Sequence, residues 1–174
     1  MIRNLLLWAA LVAVPLSAVS APALAHVTLE VQEARIGASY KAVLRVPHGC
    51  GAEATNLLHV RIPEGFFNVK PMPKPGWDLE TVIGPYGQSY SDHGTELTEG
   101  VVEIIWSGGE LPSDWYDEFV FRGSFAESLE VGEFHFPVIQ ECAGGEAAWI
   151  DTSGDPAASH PAPSLKLLEG PGHH

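Results

Sequence analysis

The sequence predicts an all-β chain folded as a single antiparallel β-sandwich. Three observations carry that expectation. Apolar and polar residues alternate with period two through many short stretches, as they do along a strand with one buried face. These stretches are bounded by Gly and Pro, of which the 174-residue chain holds 18 and 14, the residues that punctuate strands with turns. Beyond the opening apolar run, no ten-residue window shows helical periodicity.

In chain order, Val27, Leu29 and Val31 alternate with His26, Thr28 and Glu30, which places the last three on one polar face. Residues 40–46 repeat the pattern, with Ala42, Leu44 and Val46 opposite Lys41, Val43 and Arg45, until Pro47-His48-Gly49-Cys50-Gly51 turns the chain. Leu58, Val60 and Ile62 form the next apolar face, which ends at Pro63-Glu64-Gly65. Residues 69–76 contain three prolines, Pro71, Pro73 and Pro75. Each removes a donor, so this stretch belongs at an edge or in a connecting arm. Strand character resumes over 77–83. Residues 84–94, polar around Tyr86, Tyr90 and His93, read as a long hairpin or loop. Residues 101–106 are strongly strand-like and stop at Ser107-Gly108-Gly109. Two more strands follow over 117–123 and 133–142, and Gly144-Gly145 turns into 147–151. A Pro/Ala/Ser-rich segment, 153–163, precedes a last short strand at 165–168. About eight or nine short strands between such turns point to a sandwich of the immunoglobulin or cupredoxin kind.

The domain organisation follows. Residues 1–25 read as a signal peptide: Arg3 is the positive start, 5–14 the apolar run, and Ala23 and Ala25 the small residues of an A-x-A cleavage site. A rival cut after Ala21 would put Pro22 first, which signal peptidases avoid. The sandwich core is expected over 26–152, and 153–174 holds the Pro/Ala-rich segment, the last strand and the tail. No later stretch approaches the roughly 18 apolar residues of a membrane span. The expected product is soluble after cleavage, in the periplasm or cell envelope. Its acidic balance, 22 Asp and Glu against 9 Lys and Arg, excludes nucleic acid and anionic membranes as natural partners. It suits a protein that meets cations, and it also serves solubility.

Cleavage after Ala25 leaves His26 as the first residue, with a free α-amine and an imidazole that together close one chelate ring on a metal ion. Both are nitrogen donors suited to copper, which stands at the top of the divalent affinity order. The two cysteines, Cys50 and Cys142, are expected to form one disulfide in an oxidising compartment. In the chain-entropy model a loop of that size contributes at most roughly 4–5 kcal/mol. A thiolate pair for cuprous ion would need a reducing site instead.

The chain resembles the YcnI-like copper-binding family, a domain catalogued without a function. The likeness rests on Ala25-His26-Val27-Thr28-Leu29, on Tyr40 through Cys50, and on Ile62-Pro63-Glu64-Gly65. It continues through Lys74-Pro75-Gly76-Trp77, Ile105-Trp106-Ser107-Gly108-Gly109 and Tyr116-Asp117-Glu118-Phe119. It closes on Phe136 through Cys142 and Trp149-Ile150. The resemblance implies a β-sandwich with an exported copper-handling role. It further implies one Cu(II) held by the mature N-terminal histidine, a glutamate and a nearby tryptophan. Carried over singly, these are His26, Glu118 and Trp149, with Asp117 and Glu110 left open as the acid. The pair Cys50/Cys142 is not general to the family, so the metal site does not depend on it.

Amine, imidazole and carboxylate form an N,N,O set that suits tetragonal Cu(II) better than the closed tetrahedron of zinc. The strand pattern turns Phe119 and Phe121 inward and Glu118 outward. Trp149 cannot be an ordinary ligand, because its indole nitrogen only donates; it shields the ion, offers a cation–π face or supplies an electron. Trp77 and Trp106 read as core. His48, His59, His93 and His135 are scattered without ligand spacing, while His173-His174 at the end would bind metal adventitiously. After Met1 the chain has only Met72, which excludes a Met-rich cuprous site. The expected function is copper trafficking or homeostasis without catalysis, in exchange with another envelope copper protein or transporter. Two rivals stand beside it. One is a copper oxidase or monooxygenase, which needs a second imidazole in a partner position. The other is a metal-free adhesion or assembly sandwich.

Overall fold

The computed structural model of the protein describes residues 26–170; the expected signal peptide and His173-His174 lie outside them. The strands are β1 (Thr28–Leu29), β2 (Glu33–Arg35), β3 (Ser39–Val46), β4 (Thr55–Arg61), β5 (Phe66–Pro71) and β6 (Asp78–Asp92). They continue with β7 (Thr95–Leu111), β8 (Asp117–Phe125), β9 (Gly132–His135), β10 (Val138–Cys142), β11 (Gly145–Trp149) and β12 (Ser164–Leu168). One sheet has the order β1-β3-β8-β5, another β11-β10-β4-β7-β6, and a third β2-β12-β9. The pairings are antiparallel except β2 with β12, which is parallel. This is the predicted all-β sandwich.

Alternation builds the core. Ala42, Leu44 and Val46 of β3 and Phe119, Phe121 and Phe125 of β8 are buried on one sheet. Leu58, Val60, Ile104, Trp106 and Val138 are buried on the other. Phe66 lies at the centre, in ring contact with Tyr40, Phe121, Phe125 and Phe136. Trp106 is fully buried and donates its indole N–H to the Met72 carbonyl at 3.3 Å. Trp77 meets the Phe119 ring edge-on at 4.9 Å between centroids. Trp106 is core, as expected, and Trp77 is partly buried and packs against it.

The proline-rich stretch behaves as its missing donors require, since β5 is an edge strand ending at Pro71. It is also bulged. Asn68 adopts φ 52° where the register shifts between Phe67 and Lys70. A non-glycine residue rarely takes that conformation, and here the Asn68 side chain donates to Asp92 Oδ2 at 2.8 Å while its backbone N–H donates to the Tyr86 hydroxyl. Residues 84–94 resolve as the far half of a long hairpin that pairs out to Asp92↔Thr95. His93 and Gly94 both have positive φ, 49° and 86°, the twist-matched two-residue turn for such a ribbon. The last strand is more deeply placed than its terminal position suggests. β12 is the middle strand of the third sheet, and its Leu165 and Leu167 are buried in the main core.

Val31 departs from its expected face. The chain leaves β1 after Leu29, and Val31 is 51% exposed instead of following Val27 and Leu29 inward. Its carbonyl accepts a hydrogen bond from the Tyr40 hydroxyl. Burial, with the nearby Glu30 charge adding to it, pushes the Tyr40 hydroxyl up to about 12. A hydroxyl whose pKa rises on folding contributes its stability in full below pH 10. That contribution is lost as pH climbs toward 12, at about 1.4 kcal/mol for each step of one in pH. Tyr40→Phe removes that ionisation. Its urea midpoint is expected to fall less steeply than the wild-type midpoint between pH 10 and 12, as followed by circular dichroism.

Candidate metal centre

His26 enters the sandwich immediately before β1, at the open edge of the four-stranded sheet. Trp149 ends β11, at the edge of the five-stranded sheet. Period-two alternation sends Trp149 inward beside Val138, its register partner, and Gln140, two residues further along β10, shares that face. The buried indole N–H donates to Gln140 Oε1 at 2.9 Å. Gln140 Nε2 donates in turn to the His48 carbonyl and to Thr55 Oγ1, both at 2.6 Å. Gln140 and Thr55 are fully buried. An apolar core with one polar pair is costly unless each group finds a partner, and this network supplies them. It fixes the indole's tilt.

The His26 ring packs against Trp149 with centroids 5.8 Å apart and planes tilted by 58°. Its Nε2 is buried and has no hydrogen-bond partner. A buried unpartnered polar atom costs about 1–3 kcal/mol, so the ring is held by packing and is committed to no structural hydrogen bond. A second imidazole, His160, touches the same indole at 4.9 Å between centroids and a 53° tilt.

The loop carrying His160 is built by local capping. The Asp151 N–H donates to the His160 carbonyl at 3.2 Å, and the Ala162 N–H to the Asp151 carbonyl at 2.8 Å. The Asp151 side chain accepts from the Ser153 N–H at 2.8 Å, and hydrogen bonds from Ser153 hold its carboxyl below the usual carboxylate range. Asp155 Oδ1 accepts from the Ala157 N–H at 2.8 Å. These Asx-type turns fold 151–163 back over the end of β11. A cleft of about 170 Å³ is lined by His26, Gln32 and residues 27–29 at the start of the described chain and by residues 161–164 of this returning segment.

The acids stand elsewhere. Glu118 is on the outer face, as its strand pattern implies, while Phe119 and Phe121 are buried. Its carboxylate lies 3.3 Å from Arg45 Nε, and the same guanidinium reaches Glu30 at 3.0 Å. Glu118 pairs in register with Arg45 and Arg45 with Thr28, so Glu118 sits two strands in from β1, an offset of roughly 9–10 Å. Asp117 is bonded to Lys74 at 2.6 Å. Glu110 lies near Glu53 along a different groove. The structure therefore brings His26 and Trp149 together and does not bring Glu118, Asp117 or Glu110 to them. Among the described residues, no group of three His, Cys, Asp or Glu side chains is arranged to hold a metal ion.

The disulfide expectation holds: Cys50 and Cys142 are bonded at 2.13 Å. Of the scattered histidines, His59 pairs with Glu103 at 3.1 Å, and His93 lies in the hairpin turn. The residue that sequence reasoning missed is His160. It has no motif spacing to any other histidine and sits in a low-complexity segment, so only the fold reveals its contact with Trp149.

The pattern of a family described as a domain of unknown function (DUF1775) matches residues 26–167. A protein from Nocardia farcinica, described as uncharacterized with an immunoglobulin-like fold, superposes with a TM-score of 0.61 at 24% identity. It covers 82% of this chain and 98% of that one. This similarity supports the sandwich fold. A putative membrane anchored protein from Corynebacterium diphtheriae gives a TM-score of 0.41 at 11% identity, covering 84% of this chain and 34% of that one. No curated protein matches the chain.

Proposed function

The chain belongs to the DUF1775 family, and from that premise we propose that it is an exported copper-handling sandwich. In this reading it holds one Cu(II) at His26 once the signal peptide is removed, and it acts in copper trafficking or homeostasis. The observation that carries the reading is the packing of the His26 ring on the buried indole of Trp149. Cleavage after Ala25 adds the α-amine, which with Nδ1 of the same residue closes a six-membered chelate ring. Trp149 shields that ring, and Gln140 holds the indole in place. Glu118 joins such a site only by exchanging Arg45 for the ion. The amine's unperturbed pKa of about 7.7–8.0 sets a pH dependence: binding displaces a proton, so affinity weakens as pH falls below that range.

The test is a Cu(II) titration of the exported, processed protein with His173→Ala and His174→Ala. One equivalent is expected to bind. Placing Gly-Ser-Gly-Ser before His26 moves the free amine out of chelating reach without putting His third in the chain, and is expected to weaken binding about 100-fold, or roughly 2.7 kcal/mol. Equal affinities for the two proteins would falsify the reading. A calorimetric titration at pH 6 and pH 8 is expected to show weaker binding at pH 6.

A further inference from the structure

We infer that His160 supplies a second imidazole to the N-terminal copper site, giving a donor set of the His26 α-amine, one His26 ring nitrogen and His160 Nε2. The inference rests on the copper reading above. Two imidazoles, 134 positions apart in the chain, both make ring contact with the buried indole of Trp149, at 5.8 and 4.9 Å. The residues that follow His160, from Pro161 to Ser164, line the same cleft as His26. His160 Nδ1 is engaged by the Ser159 hydroxyl at 2.9 Å. That contact orients the ring and leaves Nε2 as the nitrogen available to an ion, the usual division of labour in a ligating imidazole.

Among the described residues no three metal-binding side chains stand together. The site needs only two, because signal cleavage creates its remaining donor. Three nitrogen donors would suit Cu(II) better than a harder ion such as Mg or Ca. The competing third donor is Glu118, which lies two strands in from β1 and is paired with Arg45. His160 needs no ion pair to be broken. The loop that carries it is closed on Asp151, through the Asp151 N–H to the His160 carbonyl and the Ala162 N–H to the Asp151 carbonyl. The ring is thereby kept near Trp149.

The experiment is pulsed electron paramagnetic resonance on the processed protein with His173→Ala and His174→Ala, loaded with one equivalent of Cu(II). Two remote imidazole nitrogens are expected in the modulation pattern. His160→Gln is expected to remove one of them and to weaken affinity about 10- to 100-fold. Because His160 is exposed, the variant's melting temperature without metal stays at the wild-type value. Glu118→Gln is expected to leave the two-imidazole pattern intact. If His160→Gln keeps both the spectrum and the affinity, or if Glu118→Gln alone abolishes them, His160 is not a ligand, although the His26 chelate stands. Absence of any bound Cu(II) in the unsubstituted processed protein overturns the chelate and His160 together.

Discussion

Phe66→Ala is expected to destabilise the fold by about 3–5 kcal/mol, the range for emptying a fully buried aromatic position. Phe66 is 1% exposed and contacts four other aromatic rings, at centroid separations from 4.8 to 6.4 Å. Its ring also fills the space above Gly123, where an added Cβ would stand 2.6 Å from it. The strands around it are fixed by their ladders, so the site cannot collapse inward to refill the void. Chemical denaturation followed by tryptophan fluorescence measures the loss. A change under about 1 kcal/mol would mean that the aromatic cluster is loosely packed, contrary to interior packing density.

Replacing Cys50 and Cys142 together by Ser is expected to lower stability by about 2–4 kcal/mol. The bond spans a sequence separation of 92 and ties the β3–β4 turn to the end of β10. Cys142 is two residues beyond Gln140, and Cys142 Sγ accepts from the Cys50 N–H at 3.1 Å. The same two chain segments also carry the polar network, since Gln140 bonds the His48 carbonyl and the Trp149 indole. Losing the bond therefore loosens the base of the site without removing a metal donor. Copper stoichiometry is expected to remain at one per chain, measured by atomic absorption after desalting. Loss of copper with the fold retained would show that the sulfurs themselves are needed.

Much of this fold was legible in the sequence because burial writes period two into strands. Residues 40–46 carry the alternation of a paired strand, the apolar run 101–106 lies in the paired strand β7, and Pro71 marked an edge through its missing donor. The disulfide was legible from having only two cysteines. His26 beside Trp149 came from family resemblance, and the structure brings the two rings into contact. Other features depend on cross-strand register, which local pattern does not encode. Glu118 was placed on the outer face by alternation, but its pairing with Arg45 follows from the Arg45↔Glu118 register. The contact of His160 with Trp149 is of the same kind. His160 meets Trp149 because β12 enters the third sheet between β2 and β9 and draws the preceding loop back. Nothing in a Pro/Ala/Ser-rich segment announces that return.

The most direct measurement is anomalous diffraction at the copper edge from crystals of the processed protein with His173→Ala and His174→Ala, grown with one equivalent of Cu(II). Copper bound as proposed gives a single peak within about 2 Å of the His26 α-amine and ring nitrogen, the usual metal–imidazole bond length, and beside Trp149. A peak on surface carboxylates away from His26, or no peak at all, would contradict it.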